Sequence, residues 1–196
     1  MLTVVLSVIS SPALADESSD SEFAWFSFAP EIGYVHFFET TVHEKLNAKL
    51  AARDGIVLKG HVDIGGDGIA LEIAPLYAWE SGGKEFGDFN VLGAEITLAL
   101  RANSGNFYPG IGIGFHGAYI FENDYINSGS ELFARVPLGF TWYFMEYLGL
   151  VFEFGLMYGG TGVRVKEEAN HALAESDKAE FGAGFAFDIL VGLRFP

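Results

Sequence analysis

Residues 131–144 and 147–160 alternate at period two between large apolar side chains and a set of small, charged or medium-sized ones. Leu132, Ala134, Val136, Leu138, Phe140, Trp142 and Phe144 share one parity. Glu131, Phe133, Arg135, Pro137, Gly139, Thr141 and Tyr143 share the other. After Met145-Glu146, which reads as a tight turn, Leu148, Leu150, Phe152, Phe154, Leu156 and Tyr158 alternate with Gly149, Val151, Glu153, Gly155 and Met157. Successive side chains of a strand point to opposite faces, so this rhythm predicts two strands. A membrane-spanning helix over 137–158 is excluded: Pro137 removes a hydrogen bond, three glycines weaken it, and Glu146 and Glu153 would sit in or near hydrocarbon.

Six further segments alternate in the same way: 25–38, 56–64, 67–80, 89–101, 107–121 and 181–195. All eight reach the roughly 9–11 residues that a tilted spanning strand needs. The charges then decide what the apolar face meets. Glu31, Lys59, Asp63, Glu72, Glu95, Arg101, Arg135, Glu153, Asp188 and Arg194 all have the parity opposite to the apolar set. A Lys or Arg facing lipid at mid-depth costs about 2–4 kcal/mol, and an Asp or Glu less. Selection against that cost puts the apolar set outward, toward acyl chains, and the charges inside. Only His36, near one rim, breaks the rule. A water-soluble lipocalin-like barrel would reverse the arrangement, burying the apolar face. The expected fold is therefore all-β: an eight-stranded antiparallel up-and-down transmembrane β-barrel over 25–196.

The connections support this. Gly65-Gly66-Asp67-Gly68, Ala102 to Asn106 and Met145-Glu146 are short, whereas 39–55, 81–88, 122–130 and 161–180 are longer. Short and long connections alternate, as periplasmic turns and external loops do, and an even strand count puts both termini on the periplasmic side. Tyr77, Trp79, Tyr119, Trp142, Tyr158 and Phe195 lie toward strand ends on the outward face, where aromatic rings meet headgroups.

The chain has no Cys, which excludes disulfides, thiol catalysis and thiolate metal sites. Its net charge of −15 argues against nucleic-acid binding. At the N-terminus, the apolar run Leu2 to Ile9, Pro12 and the small residues Ala13 and Ala15 fit an export signal cleaved after residue 15, although no Lys or Arg precedes the run. An acidic segment, 16–24, would follow.

In these respects the chain resembles the small eight-stranded outer-membrane barrels, the OmpA/OmpX-like group. The last segment, "FGAGFAFDILVGLRF", carries much of the likeness: Phe181, Phe185, Phe187, Ile189, Val191, Leu193 and Phe195 alternate toward a terminal Phe, with Pro196 as a departure. The resemblance implies a bacterial outer-membrane location and insertion by the barrel-assembly machinery. It also implies outer-membrane lipids and lipopolysaccharide as surroundings, and a structural or surface-interaction role without a cofactor. Lipid A acyl hydrolases and acyltransferases on such barrels make a lipid-modifying enzyme the alternative.

Eight strands enclose little more than their own side chains, so no wide pore is expected. The inward glycines, among them Gly33, Gly93, Gly112, Gly139, Gly155 and Gly192, are read as relieving crowding, with a small water-filled cavity as the alternative. The lumen is expected to hold a polar network of Glu31, Lys59, His61, Asp63, Glu72, Glu95, His116, Arg135, Glu153 and Asp188. Counting from a turn at 65–66 predicts Lys59 opposite Glu72, counting across 81–88 puts Glu72 near Glu95, and counting across 122–130 puts His116 near Arg135. Buried charges of this kind must be paired or protonated.

No catalytic set is evident. None of the five histidines has a Ser two residues away, and His36 is placed outward with Glu39 or Thr40 as possible neighbours. No loop shows a dense metal-ligand pattern. In 39–55, Val42, Leu46 and Leu50 have helical spacing, so a short amphipathic helix is the alternative to a plain loop; the loops are also where a partner would bind.

Overall fold

The computed structural model describes residues 25–43, 48–50, 52–66, 68–81, 86–102, 106–166 and 182–195. The proposed export signal and acidic segment, and residues 167–181, which include most of the connection expected over 161–180, lie outside them. Strands β1 (Trp25–Phe37), β4 (Arg53–Gly66), β5 (Ile69–Ser81), β6 (Asp88–Arg101), β7 (Phe107–Ile120), β8 (Ile126–Met145), β9 (Leu148–Val165) and β10 (Gly182–Arg194) close into an antiparallel barrel. Neighbours in sequence are neighbours in the wall, and β1 completes the ring against β10 and β4. Beyond the main β1–β10 ladder, Phe28 and Phe195 exchange backbone hydrogen bonds of 2.9 and 2.8 Å. Every interior strand therefore has two hydrogen-bonded neighbours, which is the condition for a sheet in lipid.

The outward set is the apolar one. Ile113 is 64% exposed and Phe152 39%, and the same face carries Ile32, Leu58, Ile73, Leu98, Leu138, Phe154 and Ile189. A lipocalin-like arrangement, which would bury these side chains, is ruled out. At the termini end of the barrel, where β1 begins and β10 finishes, the turns are short. Gly66 pairs with Ile69, and Gly68 takes φ 84°, the left-handed conformation that an Asp-Gly hairpin turn uses. Met145 pairs with Leu148, so the β8–β9 turn falls on Glu146-Tyr147, one residue later than the sequence rhythm placed it.

The opposite rim departs further from expectation. β4 begins at Arg53 instead of 56, β8 at Ile126 instead of 131, and β9 runs on to Val165 instead of 160. The inward side chains of these extensions explain it: Arg53, Ile126 and Val163 are buried, so the ladder continues where its inner face still finds contacts. The connection after β7 shrinks to 121–125, pinned by Asn123, whose Nδ2 donates to the carbonyls of Phe86 (2.8 Å) and Asp88 (2.9 Å). Its Oδ1 accepts from the backbone N–H groups of Tyr125 and Ile126. Within 39–55 a small hairpin, β2 (Thr40–His43) with β3 (Ala48–Leu50), replaces the helix that the Val42, Leu46 and Leu50 spacing allowed. Thr40, Thr41 and Val42 are β-branched and favour the extended chain.

Candidate functional site

Two places gather chemistry: the lumen, and a small polar group on the outside of the far rim. All ten residues expected in the lumen point inward, and each is buried except Glu153, which is half-buried. Their pairing follows the observed register, not the predicted one. Asp63, not Lys59, stands opposite Glu72, and Lys59 stands opposite Leu76, because the hairpin turns at 67–68, two residues later than assumed. Each residue of turn displacement moves a cross-strand partner by two positions, so the error reaches four. Likewise Glu95 stands opposite Ala74 and Arg135 opposite Gly114, each two positions from the expected partner.

The resulting network has three tiers. Nearest the termini, Asp63 accepts from Ser27 Oγ (2.7 Å) and faces Arg194 Nη1 (2.8 Å) and Arg101 Nη2 (3.2 Å); Arg101 also bonds Glu72. In the middle, Lys59 Nζ donates to Glu95 Oε1 and Asp188 Oδ2, both at 2.8 Å. Arg135 donates to Asp188 Oδ1 and Glu153 Oε1, both at 2.7 Å, and its Nη1 lies 3.5 Å from Glu95. The expected ladder Lys59–Glu72–Glu95 is therefore split: Lys59 serves Glu95, and Glu72 belongs to Arg101. His116 reaches Arg135 only through Glu95, which lies 3.2 Å from its Nδ1. Its Nε2 faces Glu131 at 3.5 Å, leading into the third tier.

That third tier was not singled out from the sequence. Arg53 bonds Glu131 and, at 2.9 Å, Thr161 Oγ1, and its Nε lies 3.1 Å from Glu80. Its guanidinium stacks over the Phe37 ring at 4.0 Å, a cation–π contact in a dry setting. Glu80 and Glu131 share the parity of the other inward charges on their strands, so that signal was present. Arg53 fell in a segment read as loop.

Around and beyond this tier the lumen is apolar. Phe37, Phe86, Phe89, Val91, Ile120, Ile126, Phe133 and Met157 pack together and close it. In the termini half a cavity of ≈ 30 Å³ remains, lined in part by Glu72, Arg101, Tyr108, Gly110, Gly112, Gly139, Glu153 and Arg194. Both readings of the glycines thus have a place. Gly110, Gly112 and Gly139 border the cavity, while a methyl group on Gly155 would collide with Asp188 and the Arg135 guanidinium.

Outside the far rim, His36 does point outward as its parity indicated, and its partner is Asp54 on β4, not Glu39 or Thr40. His36 Nδ1 and Asp54 Oδ1 are 2.7 Å apart, and Tyr34 Oη also bonds Asp54. Phe38 and Phe187 flank the imidazole, with ring centroids at 4.7 and 5.4 Å. Tyr77, Trp79, Tyr119, Trp142, Tyr158 and Phe195 are all exposed on the outer face. Trp142 and Phe195 lie toward the termini end, and the other four toward the far rim, so they form two belts about an apolar band.

Apolar exterior, aromatic belts and a filled, ion-paired lumen define an eight-stranded transmembrane β-barrel of the small outer-membrane type. No family model and no curated protein matches the chain. Among solved structures it is similar to Neisserial surface protein A (NspA), with a TM-score of 0.61 and 11% identity over 89% of this chain and 99% of that one. The N-terminal β-barrel domain of Pseudomonas aeruginosa OprF (TM-score 0.41, 13% identity, 85% and 97% covered) also matches. So does the outer membrane protease OmpT from Escherichia coli (TM-score 0.42, 9% identity, 91% and 99% covered). The likeness to NspA is one of fold.

Proposed function

We propose that the chain is an integral protein of the bacterial outer membrane, with a structural or surface-interaction role, that forms no wide pore. The observation that carries this reading is the filled lumen: among the described residues, the apolar plug around Phe89 and Phe133 occupies one end and the Arg135 network crosses the middle. On this reading both termini face the periplasm and the longer connections face outward, where a binding partner would meet them. Lipopolysaccharide and other outer-membrane lipids surround the aromatic belts. The barrel-assembly machinery would read β10, whose outward Phe185, Phe187, Ile189, Val191, Leu193 and Phe195 form an unbroken apolar edge. The test is conductance of the refolded barrel in planar bilayers. The expected result is no stable open state; a long-lived open channel would overturn the reading.

The pair His36–Asp54 favours one second reading, a lipid acyl hydrolase. A carboxylate that orients an imidazole at headgroup depth is half of a general-base arrangement. The hydroxyl beside it belongs to Tyr34, which Asp54 already engages, so the nucleophile would be water. Release of acyl chains from labelled lipopolysaccharide, abolished in both His36→Ala and Asp54→Asn, would establish this reading. Absence of release from the wild-type barrel removes it.

A further inference from the structure

With every carboxylate ionised, the lumen would hold more negative charge than its own cations offset. Among the described residues, eight carboxylates (Glu31, Asp63, Glu72, Glu80, Glu95, Glu131, Glu153 and Asp188) face five Lys and Arg side chains (Arg53, Lys59, Arg101, Arg135 and Arg194). Even two fully charged imidazoles would leave one negative charge over. A buried charge without a partner is costly, so the surplus is either neutralised by protons or met by another cation.

The surplus has an address. Glu31 is 4% exposed and His61 2%, yet neither carboxylate oxygen of Glu31 and neither ring nitrogen of His61 makes a hydrogen bond. Both sit in the termini half of the lumen, and Glu153, on β9 two strands from β1 in the ring, reaches the same point. One ligand atom from each of the three lies within 4.8 Å of the others. His61 Nε2 and Glu31 Oε2 are 3.5 Å apart, close to the roughly 3.4 Å edge of a tetrahedron whose bonds are about 2.1 Å long. A second triplet, His61, Asp63 and Glu72, shares the imidazole, but both of its carboxylates are engaged by cations through one oxygen. Asp63 faces Ser27, Arg101 and Arg194, and Glu72 bonds Arg101. In the first triplet only Glu153 is engaged, through one oxygen, by Arg135. Gly192, between β1 and β9, leaves the space that the Glu31 side chain occupies, since a methyl there would strike it.

We propose that Glu31, His61 and Glu153 bind one divalent first-row cation of the zinc type inside the barrel. One imidazole nitrogen and two carboxylates suit such an ion, and the adjoining cavity, which Glu153 helps to line, supplies room for water as the remaining ligand. The neighbouring cations do not forbid it, because Lys59, Arg101 and Arg135 each already face carboxylates of their own. The ion would tie β1, β4 and β9 together across the lumen. This inference rests on the barrel fold alone and stands apart from the surface role proposed above.

The test uses the full mature chain refolded in detergent, with zinc as the probe. After exposure to zinc and removal of free metal, elemental analysis should find roughly one zinc retained per chain, with X-ray absorption showing one nitrogen among oxygen neighbours at about 2.0–2.2 Å. Retained zinc should raise the temperature at which the folded gel band is lost, and a chelator should reverse the rise. His61→Asn should abolish both, while Glu72→Gln should retain the metal. Failure of the wild-type barrel to retain zinc overturns the proposal and leaves His61 as an ion-pair partner of Glu31. So does equal retention by His61→Asn, which would place the metal on other side chains. The absorption spectrum needs no variant, so a substitution that fails to fold does not block the test.

Discussion

The two halves of the lumen fill the same cylinder by opposite means. Toward the termini it is held by ion pairs among residues such as Asp63, Glu72, Lys59, Arg135 and Asp188, with a small cavity beside them. Toward the far rim it is filled by Phe37, Phe89, Ile120, Ile126 and Phe133, with a single charged tier, Arg53–Glu80–Glu131, set among them. β1 shows the change along one strand: its inward residues run Ser27, Ala29, Glu31, Gly33, Val35, Phe37. An apolar filling needs only shape, whereas an ionic filling needs every partner present. The halves should therefore fail differently when a side chain is removed.

Arg135→Ala should have the largest effect. The guanidinium faces Glu95, Glu153 and Asp188; without it Lys59 still serves Glu95 and Asp188, but all three carboxylates lose a partner and Glu153 loses the cation bonded to it. Breaking a buried pair costs about 3–5 kcal/mol, and the loss here should fall within that range. In urea titrations read by the mobility of the folded band, the variant should fail to fold or unfold far earlier. A midpoint near wild type would show that the polar half tolerates a missing partner and would erase the distinction.

Phe133→Ala probes the other half. Phe133 packs against Phe37 and His116, with centroids 5.5 and 6.0 Å away, and is fully buried. The expected cost is about 3 kcal/mol, from lost contacts and a residual void. Because the ion network still spans the barrel below it, the variant should stay non-conducting in planar bilayers. Conductance gained by this one change would mean that the apolar plug alone seals the lumen.

The wall was more legible in the sequence than its contents. Parity gave every outward face correctly, because a charge at mid-depth in lipid is penalised wherever it occurs, and that penalty acts residue by residue. The pairing inside depends instead on register, which a turn sets. Placing the β4–β5 turn two residues early moved Lys59 opposite Glu72, when Asp63 belongs there. The plug escaped notice because Val35, Phe37, Phe89 and Val91 are apolar on the parity reserved for the lumen, so alternation fades where both faces are greasy. Arg53 and Asp54 were hidden for a related reason: β4 starts earlier than its alternation shows. Asp54 is also why His36 is not a stray charge facing lipid, since the pair satisfies each other at the rim.

Ile113→Lys carries the same comparison across the wall. Ile113 lies at the middle of β7 with its side chain outward, so a lysine there meets hydrocarbon and not the network a few ångströms inside. The expected cost is about 2 kcal/mol, at the low end for a mid-depth cation because a long side chain reaches toward the headgroups. The loss should appear in lipid vesicles and shrink in detergent, whose thinner apolar layer lets the ammonium reach water. Equal loss in both would point to inward packing of residue 113 and contradict the assignment of faces.

Tyr77→Phe should do least, and it tests the boundary between apolar band and water. Tyr77 lies on the outer face of β5, and its hydroxyl donates to Asn90 Oδ1 on β6 at 2.7 Å. The ring stays in the variant, so its burial against lipid is unchanged, and only the hydrogen bond is lost. At an exposed site water can replace the donor, which holds the cost to about 0.5–1 kcal/mol. Asn90→Ala should cost a similar amount, and the double variant no more than either alone, since both remove the same bond. Additive losses would show that the two side chains act separately, with the hydroxyl anchored in the headgroups instead of to its neighbour.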